Sequence, residues 1–150
     1  MEFASYATQP DPERHADFYD GVLVKRFLAW LFDLVLIALI TALIVPFTAF
    51  TALFFLPVLF LTVGFFYRWI TLSGRSATWG MRLMSIEFLD RQGRRFDPAT
   101  ALLWTTGFSL SMGFVLPQIL SAVLMILSPR GQGLTDLVLG SVAINSPARR

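Results

Sequence analysis

The stretch "VKRFLAWLFDLVLIALITALIV", residues 24–45, decides the fold of this chain. A bilayer core is about 30 Å thick, and an α-helix of roughly 20 mostly apolar residues crosses it. The stretch is long enough, yet it contains one carboxylate, Asp33. A charged side chain near the bilayer centre costs about 2.5 to 3.5 kcal/mol on insertion scales. A neighbouring group in the folded protein must therefore compensate the charge of Asp33.

Composition predicts the class of protein before any motif is considered. Hydrophobic residues make up 55% of the 150 residues and charged residues 15%, with a mean hydropathy of +0.65. A soluble domain of this length cannot bury that much apolar surface, so we expect an integral membrane protein. The formal net charge of +2 is too small to predict binding to nucleic acid. The chain has no cysteine and one histidine, His15, so we expect no disulfide, metal site or cofactor.

The N-terminal residues 1–21 are expected to form a disordered polar arm. They are acidic, contain proline and lack the apolar core of a signal peptide. A membrane domain is expected over residues 22–144, followed by a short tail over residues 145–150. Within the membrane domain, a first helix is predicted at about residues 24–45 and a second at about 52–72, joined by the turn "PFTAFT".

A third membrane segment is predicted over residues 98–129, which contain no charged residue. Gly107, Gly113 and Pro117 interrupt it, and Pro117 in a helix interior would remove a hydrogen bond and kink the helix. The segment is therefore either one long tilted helix or two half-helices. The predicted fold class is an all-α membrane protein with three membrane segments, the third intact, broken or re-entrant, and a small cytoplasmic β-hairpin cap.

The polar segment between the second and third membrane segments predicts this cap. In "SIEFLDRQGRRF", residues 85–96, side chains alternate in period two and an Asp-x-x-Gly turn follows, which is typical of a β-hairpin. Near the C-terminus, "LTDLVLGSVAI", residues 134–144, predicts a short helix and then a strand. The earlier "WGMRLMSIEF", residues 79–88, has the same order. This internal similarity predicts, as an alternative, that the two strands pair on the same side of the membrane.

Basic residues near the span ends predict the orientation. Lys25 and Arg26 precede the first helix, and the turn at residues 46–51 has no basic residue. The basic residues at and after the end of the second helix are Arg68, Arg75, Arg82, Arg91, Arg94 and Arg95. We therefore expect a cytoplasmic N-terminus and cap, with this arginine cluster contacting anionic lipid headgroups. A single crossing by the third segment would place Arg130 and Asp136 outside, so the charge rule favours a broken or re-entrant segment.

The surroundings of Asp33 leave two interpretations open. Asp33 lies two turns after Arg26, so the two side chains share a helix face about 10 Å apart and cannot bond directly. The candidate partners of Asp33 are Arg82, Arg130, Thr71 and Ser73. Asp33 is either half of a buried structural ion pair or a proton or cation site. For Asp136, the alternatives are a second carboxylate of an ion site and a capping or surface carboxylate on a short helix.

No motif in the sequence predicts an enzyme. The chain has no Gly-x-Ser-x-Gly nucleophile turn, no Walker phosphate loop and no His-Glu-x-x-His zinc site, and its one histidine lies in the N-terminal arm. We therefore expect no catalytic residues.

Four features in this order resemble the RDD family of small bacterial membrane proteins. They are Arg26 at the start of the first helix, Asp33 within it, the segment "TWGMRLMSIEFLDRQGRR", and the closing "SPRGQGLTDLVLGSVAI". The resemblance extends over residues 22–144, and the family takes its name from one arginine and two aspartates. It implies that Arg26, Asp33 and Asp136 are the signature residues. Thr78, Gly80 and Arg82 match a Thr-x-Gly-x-Arg stretch, and Gln132 belongs to the closing motif.

The chain departs from the family pattern at two places. Gln132 is followed by Gly133, where many members have Arg or Lys, and Thr135 precedes Asp136, where many have His or Gly. The start of the third segment, "ALLWTT", lacks an arginine that members often carry. A mechanism that needs these extra cations is therefore not expected in this chain.

The resemblance implies cation/proton antiport, an activity of some members, and a location in the bacterial inner membrane. Two functions remain open. One is a transporter subunit that exchanges a monovalent cation for protons, with Asp33 as the protonatable site, Arg26 tuning its charge and Asp136 as a gate. Because three segments form a narrow bundle, this function requires a homo-oligomer or a partner membrane protein. The other is a structural or partner-binding membrane protein in which the three signature residues stabilise the fold.

Overall fold

The computed structural model describes residues 9–146, which are mostly helical with one small sheet. The helices are α1 (Val22–Phe47), α2 (Leu56–Arg75), α3 (Trp79–Leu83), α4 (Pro98–Met112), α5 (Val115–Leu127) and α6 (Leu134–Leu139), and the strands are β1 (Ile86–Leu89) and β2 (Val142–Asn145). Short 3-10 helices at Ala16–Phe18 and Thr51–Phe55 precede α1 and α2. The predicted combination of apolar helices with a small β cap is confirmed.

The first two helices are long and apolar enough to cross a membrane. After Val22 in the first turn, the buried positions on α1 recur every four residues, which marks one narrow helix face; they are Ala29, Asp33, Ile37, Thr41 and Val45. The other faces of α1 expose large apolar side chains such as Val35, Leu39 and Leu43, as expected where the solvent is lipid. α1 extends two residues beyond its predicted end, with Pro46 in the last turn.

The third membrane segment is broken into α4 and α5, whose axes differ in direction by 116°. The segment was predicted to be either one long tilted helix or two half-helices, and the structure has two half-helices. Together they are long and apolar enough to count as one further span. The break lies at Gly113 and Phe114, and Phe114 has an extended backbone. The predicted kink at Pro117 is wrong. Pro117 lies in the first turn of α5, where the backbone nitrogen needs no helical acceptor.

The sheet joins segments that are far apart in the chain. β1 and β2 run antiparallel, with Ile86 opposite Asn145 and Leu89 opposite Val142. The predicted local β-hairpin is therefore wrong, and the alternative pairing of the two similar segments is confirmed. β1 is buried on both faces, so it requires an apolar partner strand. The segment after the turn at 90–93 is charged and exposed at Arg94 and Arg95, whereas β2 is apolar and buried over its first three residues.

The two faces of the sheet contact different parts of the chain. Ile86 and Phe88 point into the main core with residues of α1, α2 and α4. Leu89, together with Val142 and Ile144, faces the other way and is covered by Phe18 and Tyr19 of the N-terminal arm.

Residues 9–21 of the arm were expected to be disordered, but in the structure they are packed. The Tyr19 hydroxyl donates to the Pro10 carbonyl at 2.7 Å, and Asn145 donates to the carbonyls of Asp17 and Asp20. The reason is that the apolar outer face of the sheet would otherwise be left exposed. Residues 1–8 lie outside the part of the chain that the structure describes.

Glu87 is a buried carboxylate of the cap. Its side chain is buried between the sheet and the loop after β1, and one carboxylate oxygen lies 3.1 Å from the Arg95 guanidinium. Burial raises the pKa of the Glu87 carboxyl above its usual value, and the charge of Arg95 opposes that rise. Glu87 therefore belongs to the cap and lies apart from the signature residues.

Candidate functional site

Two similar helix–turn–strand units dock against the membrane helices. The first consists of α3 and β1, and the second of α6 and β2. In each unit a residue with a left-handed backbone lies between helix and strand, Ser85 with φ 58° in the first and Gly140 with φ 73° in the second. The units pair through their strands, so one small cap holds both. The signature residues lie where this cap meets α1.

Asp33 is held by three neutral donors from α2 and the start of α3. Its Oδ1 accepts from the Tyr67 hydroxyl at 2.6 Å and from the Gly80 amide at 2.9 Å. Its Oδ2 accepts from the Thr78 hydroxyl at 2.6 Å. The Thr78 oxygen in turn accepts from the Met81 amide and so caps α3. These bonds give both oxygens of the buried carboxylate hydrogen-bond partners, and all three donors are neutral.

Gly80 permits this contact because it has no side chain. A Cβ atom at position 80 would lie 2.3 Å from the Ala29 carbonyl oxygen and 2.8 Å from the Asp33 Oδ1. Such distances are far inside van der Waals contact, so α3 approaches α1 this closely only with glycine. The Thr-x-Gly spacing therefore has a geometric cause: the threonine caps the helix and binds Asp33, and the glycine lets the backbone reach the same carboxylate.

Arg26 and Asp136 form a buried ion pair on the other side of the cap. The Arg26 Nη1 lies 2.7 Å from the Asp136 Oδ2 and also donates to the Gly131 carbonyl at 2.9 Å. Asp136 accepts three further hydrogen bonds, from the Gly133 amide, the Trp104 indole at 2.8 Å and the Ser141 hydroxyl at 2.9 Å. The expected capping role of Asp136 is present through the Gly133 amide. The expectation of a surface carboxylate is wrong, since the Asp136 side chain is buried.

The predicted partners of Asp33 are wrong for each of the four candidates. Arg82 donates to the carbonyls of Ala77 and Thr71, and the Thr71 and Ser73 hydroxyls bond within α2. Arg130 instead donates to Gln9 in the arm. The physical reason is that the Arg82, Thr71 and Ser73 donors are taken by nearby backbone carbonyls. The hydroxyls of Tyr67 and Thr78 instead reach Asp33.

Tyr67 and Arg68 are the functional candidates that sequence reasoning missed. From the sequence, the position of Tyr67 and Arg68 at the far end of the second helix predicts an interface belt, and Arg68 also belongs to the predicted arginine cluster. The signal that could have found Tyr67 is its position in the α1–α2 hairpin, because Asp33 and Tyr67 lie at similar distances along the chain from the turn. Gln132, a member of the closing motif, donates to the Ser141 carbonyl at 2.8 Å and supports the turn before β2.

A cavity of about 350 Å³ lies between α1, α2, α4 and α5. Its lining is mostly apolar, and the polar side chains that reach it include Arg26, Asp33, Arg68 and Gln118. A smaller adjoining cavity of about 20 Å³ is bordered by Asp136. Two signature residues therefore face one cavity and the third borders its extension. Over residues 9–146, no group of three or more His, Asp or Glu side chains is arranged to hold a metal ion.

The apolar α1–α2 hairpin, the broken third segment and the cap bound by buried Arg and Asp side chains define a small multi-pass membrane protein. A model of the RDD family matches residues 21–140, and the chain belongs to this family. Comparison with curated proteins and with solved structures gave no match.

Proposed function

We propose that this protein is a transporter subunit that exchanges a small monovalent cation for protons, with Asp33 as the exchanging group. The observation that supports this proposal is a buried carboxylate on a membrane helix that borders a cavity and, within residues 9–146, accepts hydrogen bonds from neutral donors only. Intramembrane carboxylates in such positions often mark ion pathways. No enzymatic activity forms part of the proposal.

The neighbours of Asp33 suit a group that changes its protonation state. The hydroxyls of Tyr67 and Thr78 donate to the ionised carboxylate, and each can rotate and accept when the carboxyl carries a proton. With the proton absent, the carboxylate and these two hydroxyl oxygens offer oxygen ligands to a cation. The cavity of about 350 Å³ has room for such a cation and several waters. Arg26 does not compete for Asp33, because its charge is bound to Asp136.

The proposed setting is the inner membrane of a bacterium, with the N-terminus and the cap in the cytoplasm. Exposed arginines of the cap, Arg91, Arg94 and Arg95, support this orientation by the positive-inside rule. They are proposed to contact anionic lipid headgroups, at about 1 kcal/mol for each residue near the surface. Because two or three spans form a narrow bundle, a permeation path would need a homo-oligomer or a partner membrane protein.

Replacement of Asp33 by Asn tests the exchange. D33N retains an acceptor for the Gly80 amide and removes an intramembrane charge, so the purified protein should keep its melting temperature. In reconstituted vesicles, cation-driven proton movement should fall to background. The matched control is T41V, which changes a buried polar residue on the same face of α1 whose hydroxyl donates to the Ile37 carbonyl. T41V should retain the flux, and a D33N protein with normal flux would contradict the proposal.

A second candidate function is a structural or partner-binding membrane protein. The observation that favours it is that Asp33 and Asp136 are already bonded by the protein's own donors, three and four in number. Under this function, D33N should lower the melting temperature, because the two hydroxyls that bind the carboxylate lose an acceptor. The wild-type protein would then show no cation-driven proton flux in vesicles, and the same experiment distinguishes the two candidates.

A further inference from the structure

Arg68 is a cationic residue of α2, within a candidate membrane span, and its guanidinium has few hydrogen-bond partners in the described part of the chain. Its one hydrogen bond in the described part of the chain runs from Nη1 to the Gly64 carbonyl at 3.4 Å, beyond the usual range for such bonds. Across residues 9–146, no carboxylate lies within ion-pair distance of the Arg68 guanidinium. Its guanidinium carbon lies 4.7 Å from the centre of the Phe108 ring. The remaining donors of Arg68 are left to the cavity that it lines.

The cavity lies where the helices are not closely packed. α4 packs against α2 and α6, and α5 packs against α4 and α6, but neither packs extensively against α1. The cavity fills this space, and side chains of α1 and α5 such as Phe27, Trp30 and Met125 line it. On the outer faces of the same two helices, large apolar residues are exposed. An apolar chain from the bilayer can therefore enter between α1 and α5.

We propose that the cavity binds a long-chain carboxylic acid, with its carboxylate on Arg68 and its hydrocarbon chain along the apolar wall between α1 and α5. An arginine fork and a carboxylate form paired, charge-assisted hydrogen bonds, which would satisfy the donors of Arg68. Asp33 does not take this role, because its oxygens already accept three hydrogen bonds. The volume of about 350 Å³ lies in the range of small-molecule sites.

The depth of Arg68 favours a compact acid over a phospholipid. Arg68 lies two turns before Arg75 at the end of α2, and its Nη1 points back toward Gly64, away from the cap. A bulky, permanently charged headgroup would have to be desolvated to reach that position. A carboxylic acid is small and can enter in its neutral form, then ionise beside the guanidinium. Arg68 and Asp33 line the same cavity, but acid binding can be measured without ion exchange at Asp33.

The test uses quenching of Trp104 by a brominated chain. Trp104 is 6% exposed and lines the cavity, so a brominated chain quenches it only after entering the cavity. The reporter protein retains Trp104 and has Trp30, Trp69 and Trp79 replaced by Phe. The probes are dibrominated stearic acid and, as the uncharged match, dibrominated stearyl alcohol. R68Q removes the proposed anchor, and R75Q changes an exposed arginine on the same helix outside the cavity.

We expect saturable quenching of Trp104 by the acid, with an apparent Kd at least about tenfold lower than for the alcohol. R68Q should abolish this difference, R68K should restore part of it, and R75Q should leave it unchanged. Equal binding of acid and alcohol in the reporter protein would overturn the proposal, and this comparison does not depend on whether a variant of Arg68 folds. It would also be overturned by the absence of Trp104 quenching, or by quenching from dibrominated phosphatidylglycerol but not from the free acid. None of these fluorescence measurements requires ion flux. A failure of the acid-binding proposal is therefore distinguishable from a failure of the proposed cation/proton exchange.

Discussion

Gly80 lies where the first turn of α3 meets the backbone of α1. Its amide donates to Asp33 at 2.9 Å, and the missing Cβ leaves space for the Ala29 carbonyl oxygen. At the scale of single residues, the site therefore depends on one glycine as much as on its charged members. Gly80 has no side chain, yet its presence determines whether the amide at position 80 can donate to Asp33.

G80A tests this dependence. The added methyl would overlap the Ala29 carbonyl, so α3 must move away from α1 and Asp33 loses a donor. We expect a loss of about 2 to 4 kcal/mol in the free energy of unfolding, from overpacking together with the lost hydrogen bond. The control is G74A on α2, where the nearest atom to an added Cβ is 4.0 Å away. G74A should stabilise the protein by roughly 0.5 to 1 kcal/mol through helix propensity. Thermal melting in detergent measures both, and equal melting temperatures would contradict the close approach.

At the scale of elements, the ion pair between Arg26 and Asp136 joins the start of α1 to α6. Both side chains are largely buried, at 12% and 1% exposure, so their mutual bonds are not screened by water. The Trp104 indole binds the same carboxylate from α4. One carboxylate thus connects α1, α4 and α6, and its loss would loosen three helices together.

R26Q should therefore cost about 3 to 5 kcal/mol of stability, because Asp136 would remain buried without its cation. The double variant R26Q/D136N should regain part of this loss, since it leaves no uncompensated charge. The matched comparison is R94Q, which breaks the exposed pair with Asp90, where the Arg94 side chain is 74% exposed. Pairs of that kind contribute at most about 1 kcal/mol. Melting of the four proteins provides the measurement, and similar effects of R26Q and R94Q would refute the structural role of the buried pair.

At the scale of the whole molecule, the pairing of β1 with β2 constrains the topology. The segments after α2 and after α5 must lie on one side of the membrane, because four residues of each form a common sheet. The turn between α1 and α2 lies at the opposite end of the hairpin. The broken third segment satisfies this constraint when α4 and α5 enter and leave on the same side.

Cysteine labelling tests this arrangement, since the chain has no native cysteine. Single cysteines at Gln92 and Ser146 should react equally with a membrane-impermeant maleimide in inverted vesicles and remain unlabelled in intact cells. A cysteine at Thr51, in the turn between α1 and α2, should show the opposite pattern. Labelling of Q92C and S146C from opposite sides would rule out the paired sheet in the membrane.

The sequence by itself determined the features that depend on local composition. Hydropathy predicted the two long helices, the absence of charge over residues 98–129 predicted the third segment, and the repeated helix–strand pattern predicted both cap units. The helix bounds were correct to within about four residues, because a lipid solvent selects helices by length and apolarity alone. The family resemblance also identified Asp33 and Asp136, which the structure finds buried, and Arg26, which pairs with Asp136.

Only the tertiary structure decided which groups those residues contact. Asp33 bonds with residues 34 to 47 positions away, and Arg26 with Asp136, 110 positions away. Hydropathy and periodicity act within a turn or a strand, so they contain no information on distances between such positions. For the same reason, the period-two pattern could not distinguish the correct pairing of β1 with β2 from a local hairpin, since both satisfy it. The choice depended on which partner buries both faces of β1, and burial is a property of the packed molecule.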